Sequence, residues 1–311
     1  MSLPSAGTRK NGLFSQQDYL APLPIPTGEM PSDVLNIIWR RNDIFLDIGN
    51  YSPGAAILVW WPMVMLFFGM ASYFKYLALD VSDLIFMAAG VITGIPALIL
   101  IYGLFQPTPL PIRFNRQRRE VCVPRENGEY WIVPWESVTA AASQHSSVSQ
   151  AGKNTVGMLF VGFDNPDPLA KEDNKHFFWG FNCGGGETAM ALWECMRSYM
   201  EVGPDAVTDK SERFYRPKGI LATYANHVIE AAQRKGWFMA LLWEGFCGLF
   251  IFNILLIDVL ERIKLNPPPD LNHPDIIEWS KPLPPEQWAK RSPELEAAIA
   301  KREAELAARS A

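Results

Sequence analysis

The side chains that most often perform chemistry are thinly spread along this chain. Its four histidines, His145, His176, His227 and His273, stand far apart, with no HExxH and no paired-ligand spacing. Zinc needs clustered donors, so the spacing argues against a metal site. The four cysteines, Cys122, Cys183, Cys195 and Cys247, form no CxxC pair. That pattern indicates neither a zinc site nor a disulfide framework, and fits reduced thiols in or facing a cytosol. Ser146 and Ser147 sit beside His145, but no GxSxG elbow surrounds any serine. Gly184-Gly185-Gly186 falls where a strand should hand over to a helix, the place where helix N-termini take phosphates. It lacks the Gly-Lys-Ser/Thr ending of a nucleotide loop and the spaced glycines of a dinucleotide fingerprint, so it reads as a tight turn. No nucleophile, base and oxyanion hole assemble, and the expectation is a protein that is not an enzyme and needs no cofactor.

What remains is chemistry of contact. Arg113, Arg116, Arg118 and Arg119 form a basic cluster that could meet anionic headgroups, at about 1 kcal/mol each near a membrane surface. The same cluster could act as a topogenic signal, and the two readings are compatible. Trp131, Trp135 and Trp179, with Trp193, either fill a domain core or, where exposed, anchor a partner. Glu244 and Asn253 interrupt an otherwise apolar run. A carboxylate in lipid is costly, so Glu244 is expected to face another helix, to be protonated or to lie shallow. It then serves as a helix–helix hydrogen bond or as a proton-linked group.

The elements that must position these residues begin with two charge-free stretches, Gly54–Phe74 and Leu84–Phe105. A run of about 20 apolar residues spans the ~30 Å hydrocarbon core, and the short segment between these two predicts a membrane hairpin. Pro62 and Pro96 are tolerable in transmembrane helices, and Tyr51, Tyr73, Tyr76 and Tyr102 sit near the ends, where the interface favours them. A third candidate span covers 236–257, interrupted by Glu244 and Asn253. The first two spans hold no charge, which argues against a transporter or pump. Arg40 and Arg41 precede the first span, Lys75 alone lies in the hairpin, and the arginine cluster follows the second. The positive-inside rule then places the N-terminus and the middle of the chain in the cytoplasm. Around the third candidate, Arg234 and Lys235 nearly balance Arg262 and Lys264; a full crossing would export the tail.

Outside the spans, residues 1–50 read as a Pro-rich extended or disordered arm with a short amphipathic element at Val34, Ile37 and Ile38. Residues 107–205 read as a small α+β domain. Strands are expected at Ile112–Arg116, Val121–Val123, Tyr130–Trp135, Val156–Phe163 and His176–Phe181, with Asn127-Gly128 as a hairpin turn. Ala140–Asn154 is small and polar and reads as a flexible loop. Ala189, Leu192, Cys195, Met196 and Tyr199 recur at helical spacing and predict a helix ended by Gly203-Pro204. This order of elements is similar to that of pleckstrin-homology-like domains. A helix from Pro217 to Lys235 leads into the third candidate span, within a segment 206–260. Residues 261–311 form a Pro-rich tail whose terminal charged helix, with Leu295, Ile299 and Leu306, is expected to be solvated or to dock a partner.

The net charge is −5, from 28 Lys and Arg against 33 Asp and Glu, which argues against a nucleic-acid binder. The runs Leu110-Pro-Ile-Arg-Phe-Asn-Arg-Gln-Arg-Arg-Glu-Val, Trp131-Ile-Val-Pro-Trp-Glu136 and Ala191-Leu-Trp-Glu-Cys-Met-Arg-Ser-Tyr-Met-Glu-Val-Gly-Pro204, behind a membrane hairpin, carry a resemblance. Over roughly residues 35–260, a compact domain plus its anchors, the chain resembles an uncharacterised family of proteobacterial inner-membrane proteins. Genes of that family often accompany type VI secretion effectors. The resemblance implies a membrane-bound immunity protein that neutralises a cognate secreted effector, with membrane lipids as its other partner. Alternatives are an effector-loading adaptor, or a membrane sensor or scaffold whose cytoplasmic domain reads lipid or a partner. A homo-oligomer is compatible with either class.

Overall fold

A computed structural model describes residues 4–12, 14–51, 53–77, 81–149, 152–207 and 219–310. The chain divides into two compact units. The first joins Met1–Asn50, Leu110–Ser211 and Asp270–Ala311, and the second joins Tyr51–Pro109 and Glu212–Pro269. The N-terminal segment forms β1 (Arg9–Asn11), β2 (Ser15–Ala21), β3 (Ile38–Arg41) and β4 (Phe45–Ile48). Helices α1 (Pro53–Tyr76) and α2 (Ser82–Phe105) follow. The middle segment forms β5 (Ile112–Asn115), β6 (Glu120–Pro124), β7 (Tyr130–Pro134), β8 (Thr139–Ser149), β9 (Gly152–Asp164), β10 (His176–Asn182) and helix α3 (Gly186–Glu201).

In the first unit, two antiparallel five-stranded sheets run in the orders β1-β2-β8-β9-β10 and β3-β4-β5-β6-β7. One core joins them: Leu46, Ile48, Phe114, Val121, Val133 and Trp135 meet Leu159, Val161, Phe163 and Phe181 under the α3 residues Leu192, Trp193, Met196 and Tyr199. Alternation dictates this. Inward residues along each strand are apolar, and α3 turns its expected stripe to them. At the β6–β7 turn Gly128 takes φ +84°, the left-handed backbone that the Asn-Gly pair predicts.

Three expectations are corrected here. Residues 1–50 are not a free arm: β2 pairs with β8, and β4 pairs with β5, so the N-terminal segment supplies strands to both sheets. The expected amphipathic element at Val34–Ile38 is a turn closed by Asp33, whose carboxylate accepts from the backbone N–H of Ile37 and Ile38 at 2.9 and 3.0 Å. Of the loop expected over Ala140–Asn154, the described residues form β8 and the start of β9, with β8 paired on both sides. Its residues are small because α3 lies close. Ala140 and Ala142 are buried, and a Cβ on Gly157 would stand 2.0 Å from the backbone of Gly185. Polar, small side chains suggested solvent; the cause is tight packing.

The tail is corrected as well. Helices α7 (Pro274–Trp279) and α8 (Pro293–Ser310) belong to the first unit. Leu271 and Ile276 cover Cys122, while Leu295 and Ile299 pack on Ile25. Burying such a side chain contributes about 1.5–3 kcal/mol. The α8 helix is thus neither wholly solvated nor held for a partner on its Leu295 face. The tail and the middle segment thus share one folded unit.

In the second unit, α1 and α2 are each long and apolar enough to cross a membrane. Trp60 donates to the carbonyl of Thr93 at 2.8 Å, and Ala71 and Ala89 are buried, so small residues and one indole bring the pair together. Helix α4 (Ile220–Lys235) ends at Gly236, whose φ of +88° turns the chain into α5 (Trp237–Ala240). Residues Pro217 and Lys218 of the expected helix lie outside the described residues. A π-helical segment, Leu241–Ile251, continues α5, and Asn253 at φ +51° breaks it before α6 (Ile254–Leu265). The third candidate is therefore not one straight span: its halves meet at 62°.

Candidate partner-binding face

The four arginines of the basic cluster are engaged inside the first unit. Arg113 is 3% exposed, pairs with Asp47 at 2.6 Å and Asp270 at 2.7 Å, and covers the ring of Phe45. Arg116 donates to the carbonyl of Val202 at 3.0 Å, and Arg118 to that of Trp279 at 2.8 Å. Arg119 donates to Glu201 at 2.8 Å and to Glu136 at 3.1 Å. The headgroup reading is corrected for Arg113 and Arg119, which hold carboxylates from other segments instead. Trp131 and Trp135 are buried, and Trp135 stacks on Trp193, so both are core rather than partner anchors. Trp179 is half-buried and meets Phe181 edge-on at 4.5 Å. Glu244 finds Lys235 at 2.5 Å, a partner placed beside it by the turn at Gly236. Asn253 supplies the helix break, its carbonyl accepting from Leu256 at 3.0 Å.

Two buried ionic clusters explain where the charges went. Burial pushes the Asp270 and Glu201 carboxyls up, but their arginine partners outweigh it and hold both below the ordinary values. For Glu201 the partners are Arg119, the indole of Trp135 at 2.8 Å and Arg291 of the tail at 2.5 Å. Burial dominates at Asp47 and raises its carboxyl against the pull of Arg113 and Arg40. These clusters clasp the tail to the sheets. Burial pushes the Cys183 thiol up to about 11 against a backbone hydrogen bond with Leu159, and dominates at Cys122, raised to about 12, which keeps both protonated at neutral pH.

Among the described residues, one exposed surface that carries aromatic rings is the outer face of the β1-β2-β8-β9-β10 sheet, opposite α3. The register aligns Phe178 of edge strand β10 with Gly162, and Phe160 of β9 with Gly180. Each ring lies over the glycine beside it: a Cβ on Gly162 would meet the Phe178 ring at 2.8 Å, and one on Gly180 the Phe160 ring at 3.4 Å. The result is a pair of rings on bare backbone, with Phe178 65% and Phe160 37% exposed. Val156 and Tyr19 extend the face, and His176, bonded to Asp164 at 2.7 Å, borders it. Such a face contributes stacking and apolar contact, and the edge strand presents backbone to an added strand. Aromatics on both faces of His176–Asn182 concealed which ones were outward; the glycine opposite each phenylalanine was the legible hint.

Among the described residues, no group of three or more His, Cys, Asp or Glu side chains converges as a metal site would require. Among the described residues, the Gly184-Gly185-Gly186 turn is closed by Thr188, whose hydroxyl accepts from the Gly185 N–H at 3.0 Å and donates to the Cys183 carbonyl at 2.6 Å. No protein-family description, curated protein or solved structure matches this chain.

Proposed function

We propose that this chain is a membrane-anchored binding protein that neutralises a cognate type VI secretion effector by seating it on the outer face of the first unit. The observation that carries the reading is the exposed pair Phe160 and Phe178 at a sheet edge, in a chain with two helices able to span a bilayer. Exposed aromatics of this kind are the usual anchors of protein interfaces. The resemblance of Leu110–Val121, Trp131–Glu136 and Ala191–Pro204 to the effector-associated inner-membrane family supplies the class of partner. Two antiparallel sheets closed by α3 support a pleckstrin-homology-like plan for the first unit, in which the helix covers one sheet and leaves an edge open. The arginine asymmetry around α1 and α2 supports a bacterial inner-membrane location with the first unit in the cytoplasm.

A survival assay tests the proposal. Cells lacking the protein, challenged by kin that deliver the effector encoded beside it, should die, and the intact gene should restore them. Equal survival with and without the protein would refute neutralisation. Loss of effector delivery in the same deletion strain would replace it with a loading role.

A further inference from the structure

We infer that Trp237–Leu265 is a re-entrant arch that inserts its apolar face into the acyl region of one leaflet and returns to the side it came from. The argument starts with connectivity. The second unit consists of two insertions, and each leaves the first unit and comes back to it. The returning tail is locked in place by Arg113–Asp270, Glu201–Arg291, and the burial of Leu271, Ile276, Leu295 and Ile299. A single folded core lies on one side of a membrane, so each insertion crosses an even number of times. α1 and α2 supply two crossings. The second insertion has one apolar stretch, so it makes none.

Burial within that stretch is mixed in a way a water-soluble helix avoids. In α6, Asp258 and Glu261 are turned inward beside Ile257 and Leu265, Glu261 to 2% exposure, while Val259 and Ile263 face out, Ile263 at 71%. Trp237, Phe238, Leu242, Trp243, Phe246 and Phe250 are exposed along α5 and the π segment. Apolar residues outward and carboxylates inward is the pattern lipid selects. Lys235 neutralises Glu244, the acid that would otherwise oppose insertion. Basic residues flank both ends equally, Arg234 and Lys235 before and Arg262 and Lys264 after. A crossing segment should show a bias; balance fits two ends at the same anionic surface.

The break sets the depth. Limbs that share the 62° bend equally lie about half that angle from the membrane plane. At no more than about 1.5 Å per residue, Trp237–Ile251 then carries Asn253 no deeper than roughly 12 Å, inside one leaflet.

The full-length protein in cells and in proteoliposomes provides two readouts. Fluorescent-protein and phosphatase fusions at Ala311 and after Phe105 should report the same side, the cytoplasm; fusions that report opposite sides would overturn the arch. Cys247 is the one cysteine not buried, so a fluorophore maleimide places a depth probe in the π segment without mutation. Its emission should be lost more strongly with lipids brominated near the headgroup end of the acyl chain than with lipids brominated near the terminal methyl. No loss with either lipid would overturn insertion, and a stronger loss at the terminal methyl would overturn the shallow arch. Neither outcome depends on the identity of the effector.

Discussion

Glu201→Gln isolates the clasp between α3, the middle segment and the tail. The wild-type carboxylate is 1% exposed and accepts from Arg119 at 3.1 and 2.8 Å, Trp135 at 2.8 Å and Arg291 at 2.5 Å. Glutamine keeps the shape and one acceptor oxygen but removes the charge. Breaking a buried ion pair by neutralising one partner costs about 3–5 kcal/mol. The low end applies, because Arg119 keeps Glu136 at 3.1 Å and Arg291 is 35% exposed to water. We expect a loss of about 3 kcal/mol at pH 7, read from urea titrations of the detergent-solubilised protein by tryptophan emission. The pH dependence has a fixed sign. Glu201 titrates below its ordinary 4.5 when folded, so its stabilisation is complete above that value and is lost as pH falls through the folded one. Wild type and variant should therefore converge in acid. Asp47, raised by burial, and Asp270 are common to both proteins and leave the difference unchanged. A variant as stable as wild type at pH 7, or a gap that does not close in acid, would refute the reasoning.

Leu295→Ala should release α8 from Ile25 at about 3 kcal/mol, which speeds tryptic cleavage at Arg302 about 100-fold while the sheets stay folded; unchanged cleavage would return the tail to solvent. Gly157→Ala puts a Cβ against the Gly185 backbone and should prevent accumulation of the protein, whereas Gly69→Ala, with open space around it, should be silent by immunoblot. A reporter fused after Phe105 should read as cytoplasmic and one near Leu79 as periplasmic, and the reverse would invert the orientation read from the arginines.

The two helices long and apolar enough to cross a membrane were legible because twenty apolar residues without charge have few alternatives. The strands β5, β6, β7 and β10 and the helix α3 were legible from periodicity and from Asn127-Gly128. What the sequence concealed is long-range. β2 joins the sheet by pairing with β8, more than a hundred residues away, and its proline-rich surroundings argued for disorder. Ala140–Ser143 looked like a loop because small side chains serve a close helix as well as they serve solvent. The arginine cluster looked like a headgroup site because its counter-ions, Asp47, Glu201 and Asp270, lie far off in the chain. The outward phenylalanines were hidden by inward aromatics on the same strand.

The claim that the outer face binds the partner is tested most directly by parallel affinity purification of wild type and the double variant Phe160→Ser, Phe178→Ser from detergent-solubilised membranes of effector-producing cells. Both proteins should reach the membrane at equal levels, since neither ring belongs to the core. Wild type should co-purify with the effector in near-stoichiometric amount, and the double variant should lose it. A double variant that retains the effector at wild-type levels would contradict the account.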